Sequence, residues 1–164
     1  MDMFIYSVRA STIKILGVFL LLGVLLTVLV VTGQGDSVSA ASTATEVDFS
    51  GIKTKEDRLA FIRGFGIEVD ESSEQESAFQ MPDNFDRVVA GYNILQQKQG
   101  LDLSKYKNKK VTRYTYKVTN YKDDGEVFAN LFIYRGKVVA CDLSSIEQDG
   151  FVIPLTLVSR DNLK

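Results

Sequence analysis

Six basic residues, Lys105, Lys107, Lys109, Lys110, Arg113 and Lys117, follow one another with no acid between them, and Tyr106, Tyr114 and Tyr116 are interleaved with them. Such a run can bind anions, either phospholipid headgroups or an anionic cell-wall polymer, by screened electrostatic attraction. A solvated loop and strand face, whose lysines discourage edge-to-edge pairing, is the plainer account. An acidic stretch, Glu68, Asp70, Glu71, Glu74 and Glu76, is placed to neutralise the run within the fold.

Asp142, Glu147 and Asp149 are the carboxylates best spaced for general acid–base chemistry. Glycoside hydrolysis would need two of them at a defined separation across a sugar cleft, and carboxylates in surface loops are otherwise ordinary. Asp123, Asp124 and Glu126 beside Gly125 suggest calcium only superficially. The alternating oxygen ligands and distant bidentate Glu of a calcium loop are missing, so this is a turn and no metal site is expected. Cys141 alternates with Val139 and Leu143 and reads as a small buried hydrophobe. A reactive thiol would need exposure and a lowered pKa, with no imidazole to help. The chain has no histidine, which excludes Ser-His-Asp and Cys-His catalysis and every His-containing zinc site. Its single cysteine cannot form an internal disulfide. Asn120, Asn130 and Tyr134 either line a polar pocket or are satisfied within a sheet. No cofactor is called for.

Location narrows the chemistry further. Residues 15–31 are uncharged and almost wholly apolar, and polar uncharged residues extend the run to 35. At about 1.5 Å per residue, a helix over 15–35 crosses a bilayer core. Arg9 and Lys14 precede it and the next base is Lys53, which predicts a cytoplasmic N-terminus (1–14) and an extracytoplasmic remainder. The alternative is a secretory signal cleaved after Ala40 at Val38-Ser39-Ala40, releasing a secreted module. Residues 36–50 read as a flexible tether, 51–158 as one small domain and 159–164 as a polar tail. A net charge of −2 gives no drive toward nucleic acid.

The spacing predicts a helix capped by Thr54 with Asp57, burying Leu59, Phe61 and Ile62 and stopped by Gly64. A short strand over 66–70, a loop over 71–76 and an extended piece over 77–81 follow. Pro82 and Asp83 open a second helix with Phe85, Val88, Val89, Tyr92 and Leu95 on its apolar side, Asn93, Gln96, Gln97 and Lys98 on its wet side, and Gly100 at its end. Residues 110–121 alternate, with Tyr114, Tyr116 and Val118 on one face and Arg113, Thr115, Lys117 and Thr119 on the other. A turn over 122–125 leads to 127–134, apolar on both faces except at Asn130 and therefore central. Arg135-Gly136-Lys137 turns into a third strand over 138–143. Residues 151–158 add a fourth strand, which Pro154 confines to an edge or an end. The expectation is an α+β domain with two helices on one face of a three- to four-stranded antiparallel sheet.

Several of these segments form one pattern: Glu56-Asp57-Arg58-Leu59-Ala60-Phe61, Gly64-Phe65-Gly66, Tyr92-Asn93, Gln97-Lys98-Gln99-Gly100, Val111-Thr112-Arg113-Tyr114-Thr115-Tyr116, Val118-Thr119-Asn120-Tyr121, Ala129-Asn130-Leu131 and Asp149-Gly150-Phe151. The pattern resembles the domain-of-unknown-function family numbered forty-eight thirty, over roughly 55–154. That resemblance implies a membrane-anchored protein of Gram-positive bacteria and carries no activity, cofactor or site residue. Cys141-Asp142 departs from it, standing where the pattern has Gly-Asp. Together these readings point to a single-pass membrane protein whose extracytoplasmic domain binds an envelope protein or anionic polymer without catalysis. The candidate contact surface is Arg113, Thr115, Lys117 and Thr119. The rival is a cell-wall glycan-acting enzyme using Asp142 with Glu147 or Asp149.

Overall fold

Thr54 and Asp57 start the first helix as their spacing predicts. The Thr54 hydroxyl accepts from the Asp57 amide at 3.1 Å, and the Asp57 carboxylate accepts from the Thr54 and Lys53 amides at 2.8 and 2.9 Å. In the computed structural model, which describes residues 47–122, 125–147 and 149–164, this capping box opens α1 (Lys55–Arg63). The expected span over 15–35, most of the expected tether, and the turn residues Asp123 and Asp124 lie outside the described residues. Among the described residues, no helix is long and apolar enough to cross a membrane.

Five strands follow in a continuous antiparallel meander, β1 (Val69–Gln80), β2 (Lys110–Val118), β3 (Val127–Tyr134), β4 (Lys137–Ser145) and β5 (Val152–Pro154), with α2 (Arg87–Gln97) between β1 and β2. The fold is α+β, with one strand more than the upper expectation. The extra strand comes from the stretch over 71–76, expected to be a loop. Val69 and Asp70 pair with Val118 and Lys117, and pairing resumes only at Gln75 with Thr115, so a bulge is extruded from the edge strand. Ser73 staples it: its hydroxyl accepts from the Lys117 amide at 2.8 Å and donates to the Asp70 carbonyl at 2.6 Å. The polar composition that suggested a loop is that of a bulged, water-facing edge.

The helices cover opposite faces of the sheet, which corrects the expectation of one shared face. Leu59 and Ile62 of α1 pack with Tyr116, Ala129, Leu131, Cys141 and Leu143. Tyr92 of α2 packs with Val111, Phe132, Val139 and Ala140 on the other side. β3 is apolar on both faces because both are covered. The second helix also begins later than expected, since its cap is Asp86, whose Oδ1 accepts from the Val89 amide at 2.8 Å; Asp83 instead accepts from Asn108 Nδ2 at 3.0 Å.

Asn93 and Gln96, expected on the wet side, are buried. Gln96 Oε1 accepts from the Cys141 amide at 3.0 Å and Gln99 Nε2 donates to the Cys141 carbonyl at 2.7 Å, so these side chains continue the ladder on β4 where β5 stops. Arg58 is the other buried polar residue of the helices. It donates to the Tyr116 hydroxyl and to Glu74, each at 2.9 Å, and its guanidinium lies 3.7 Å from the centroid of the Tyr114 ring.

Both ends of the domain extend past their expected boundaries. The Phe49 carbonyl accepts from the Val138 amide at 2.8 Å and the Ile52 amide donates to the Gly136 carbonyl at 2.9 Å, so the chain docks against the β3–β4 hairpin before residue 51. At the other end, the Lys164 amide donates to the Asn120 carbonyl at 2.7 Å and Leu163 packs on the first core, tying down the polar tail.

Candidate functional site

Of the four expected contact residues, Thr115 enters an internal polar network beneath α2, and Arg113 lies close enough for its charge to act on that network. The strand register sets Thr115 opposite Asn130 and Asn130 opposite Asp142. The Thr115 hydroxyl donates to Asn130 Oδ1 at 2.8 Å; Asn130 Nδ2 donates to Asp142 Oδ1 at 2.8 Å and to the Ser144 hydroxyl at 2.9 Å; the Tyr92 hydroxyl donates to Asp142 Oδ2 at 2.5 Å. Burial pushes the Asp142 carboxyl up to about 6, against the opposing pull of Tyr92, Asn130 and the Arg113 charge. Burial likewise raises the Tyr92 hydroxyl well above its usual range and lowers the half-buried Arg113 guanidinium, whose Nε has no hydrogen-bond partner among the described residues.

Lys117 and Thr119 stand apart from this network. Lys117 is exposed and pairs with Glu126 at 2.6 Å, and the exposed Thr119 donates its amide to the Glu68 carbonyl at 2.9 Å. Asp142 is buried on the sheet, whereas Glu147 and Asp149 are exposed in the loop after β4. Cys141 is fully buried, and burial first, the Asp142 charge second, push its thiol far above the range of a nucleophile. Asn120 is satisfied structurally, donating to the Gly66 carbonyl and accepting from the Glu68 amide, both at 2.9 Å. Among the described residues, no group of three Cys, Asp or Glu side chains is arranged to hold a metal.

Two residues of the basic run, Lys109 and Lys110, meet other cations elsewhere, at the end of the sheet where β2 begins and β3 turns into β4. A cleft of about 670 Å³ there is lined by Lys53, Lys109, Lys110 and Arg135, with Asn108, Thr112, Tyr114 and Tyr134 among its polar walls and no carboxylate. Tyr134 pairs with Lys137, so Arg135 and Gly136 form a two-residue hairpin loop with φ of 50° and 74°. Positive φ at both central positions is the type I′ pattern, which favours Asn or Asp followed by Gly. Arginine in the first position is a disfavoured choice that places a fixed cation at the mouth of the cleft. Asn108, at φ 60°, holds the opposite rim. Lys53 lies against the hairpin, so that a β-carbon added at Gly136 would sit 3.2 Å from its Cγ. The Tyr134 ring meets Tyr106 edge-on at 5.6 Å between centroids.

Four cations and two tyrosines without a carboxylate, thiol or imidazole suit an oxyanion held by charge and hydrogen bonds. Lys109, Lys110 and Tyr114 belong to the run visible in the sequence. Lys53 and Arg135 do not, and the only signal at Arg135 was its own turn, where an arginine replaces the usual Asn or Asp.

The family model described as Domain of unknown function (DUF4830) matches residues 61–143, half of the chain, and the chain belongs to that family. The match runs from α1 into β4, taking in the Tyr92–Asn130–Asp142 network and the cleft residues except Ile52 and Lys53. Neither the curated proteins nor the solved structures contain a match.

Proposed function

We propose that this member of the DUF4830 family is a single-pass membrane protein of a Gram-positive envelope, with its N-terminus in the cytoplasm and its domain outside. In this reading the domain binds a phosphate-bearing anionic ligand in the basic cleft without catalysis. The observation that carries the binding reading is the convergence of Lys53, Lys109, Lys110 and Arg135 on one cavity free of carboxylates. The topology rests on the apolar stretch over 15–35 and on the bases at Arg9 and Lys14 before it. The glycan-cleaving alternative has no comparable support, because Asp142 is occupied by donors from Tyr92 and Asn130 while Glu147 and Asp149 are exposed.

Equilibrium dialysis of the full chain in neutral detergent against short poly(glycerol phosphate) tests this, with neutral dextran as the control. At about 1 kcal/mol per base near an anionic surface, Lys109→Ala with Arg135→Ala weakens binding about 30-fold. Binding no better than that of dextran, or unaffected by the double substitution, refutes the assignment.

A further inference from the structure

We infer that the phosphate groups in the cleft are those of anionic phospholipid headgroups in the membrane the chain itself crosses, so that the domain stands with one pole on that surface. This rests on the anion-binding reading above and on the span over 15–35. Three independent observations point the same way.

The first is where the chain enters the domain. Phe49 bonds to Val138 and Ile52 to Gly136, so the segment arriving from the expected span docks on the same hairpin that carries Arg135. The eleven residues over 36–46 reach no more than about 40 Å even when fully extended. The cleft therefore lies at the end of the domain where the tether attaches. The opposite pole lies a β4 length farther, about 30 Å for nine residues at 3.3 Å each.

The second is the distribution of charge along the strands. The entry pole carries Lys53, Lys109, Lys110, Arg135 and Lys137; of its acids, Asp48 bonds to Ser50, Asp57 caps α1 through the Lys53 and Thr54 amides, and Asp83 is engaged by Asn108. The far pole carries Glu68, Asp70, Glu71, Glu126, Glu147 and Asp149; of its bases, Lys117 and Arg63 pair with Glu126 and Glu71, Lys122 donates to the Asp161 carbonyl, and Lys164 docks by its amide on Asn120. A negative surface potential attracts the first pole and repels the second, so it orients as well as binds. A wall polymer would require no such agreement between the point of attachment and the charge axis.

The third is the aromatic content of the basic pole. Tyr106 and Tyr134 stack there edge to face, and amphipathic rings are enriched at headgroup depth. Lys107 lies over the Phe85 ring, 5.2 Å from its centroid, bringing another cation with an apolar neighbour.

The test uses the full chain reconstituted in vesicles of phosphatidylcholine alone or with phosphatidylglycerol added. A dye is carried on Gln80→Cys, beside Lys110 at the basic pole, or on Thr119→Cys at the acidic pole, with energy acceptors on the headgroups. The native Cys141 is fully buried and stays unlabelled. Because attraction acts within a Debye length of about 8 Å, transfer from the Gln80→Cys label rises about twofold when phosphatidylglycerol is added and falls back in high salt. Transfer from the Thr119→Cys label does not rise, and Lys109→Gln with Arg135→Gln abolishes the response. Lys53→Gln is a second variant should the first pair fail to fold, as judged by circular dichroism. Transfer indifferent to phosphatidylglycerol overturns the inference. If the same vesicles then capture poly(glycerol phosphate) through Arg135, the anion-binding reading survives with the wall polymer as its ligand; if they capture nothing, both fall.

Discussion

Replacing Asp142 with Asn should stabilise the protein at neutral and alkaline pH and leave it no more stable than the wild type in acid. The Asp142 carboxyl ionises near 3.8 when solvated and at about 6 when folded, because it is fully buried beneath Tyr92. The folded state therefore holds this proton more tightly than the unfolded chain. Its contribution to stability is complete below 3.8 and is lost as pH rises through about 6, the opposite of an ion-paired carboxylate. A difference of about two in pKa corresponds to ~3 kcal/mol. Asn is isosteric and uncharged; its oxygen accepts from Asn130, and its amide donates to a Tyr92 hydroxyl turned to accept. Allowing ~1 kcal/mol for imperfect bonds, Asp142→Asn is ~2 kcal/mol more stable than the wild type at pH 8. Asp142→Ala leaves the Tyr92 hydroxyl and one Asn130 N–H unpaired and forfeits that gain. Urea unfolding of the full chain in neutral micelles, followed by tyrosine near-ultraviolet dichroism from pH 4 to 8, measures the difference directly. Asp48, Asp57, Asp70, Asp102 and Glu74, all held below their ordinary range, titrate in both proteins and cancel. A variant less stable than the wild type at pH 8, or a difference that does not change with pH, refutes the reasoning.

Arg58→Ala leaves Glu74 bonded to the Tyr116 hydroxyl but without its cation; with the arginine side chain only 8% exposed, the loss is about 3 kcal/mol by urea midpoint, and a loss under 1 kcal/mol contradicts the network. Arg135→Asn places a residue suited to left-handed backbone at φ 50°, raising stability by ~0.5–1 kcal/mol while weakening poly(glycerol phosphate) binding; equal or stronger binding contradicts the role given to Arg135. The Cys141 thiol reacts with an alkylating reagent only through unfolding, so its labelling rate tracks the unfolding equilibrium across urea concentrations; fast labelling of the native protein contradicts its burial.

Local signals were readable where their partners were close in sequence. Thr54 and Asp57 predicted their own capping box, and Gly100, at φ 82°, closes the α2 region as expected. Signals whose partners are distant were not readable. Asn93 and Gln96 look like the wet side of a helix until Leu103 and Cys141 supply the groups they bond. Nothing in the helix spacing singled out Arg58, because its partners Tyr116 and Glu74 lie on strands. The edge strand β1 was missed because its bulge is built from Asp and Ser, the residues of loops. The double-sided apolarity of β3 already implied two covered faces, although the helices were expected on one. For the site, Arg113, Thr115, Asn130 and Asp142 were noticed separately, under a binding reading, a polar-pocket reading and a catalytic one. Strand register joins Thr115, Asn130 and Asp142 into one internal network, with the Arg113 charge beside it. Lys53, Lys109 and Arg135 are far apart in the chain, and only the docking of the N-terminal segment on the β3–β4 hairpin unites them.

Mapping amide chemical shifts on the isotope-labelled full chain in neutral micelles, while phosphate is titrated in, tests the central claim most directly. Saturable, salt-sensitive shifts are expected at Lys53, Asn108, Lys109, Lys110, Arg135 and Gly136, lost in Arg135→Gln. Shifts centred on Arg113, Asn130 and Asp142, or no saturable shifts at the hairpin, would contradict it.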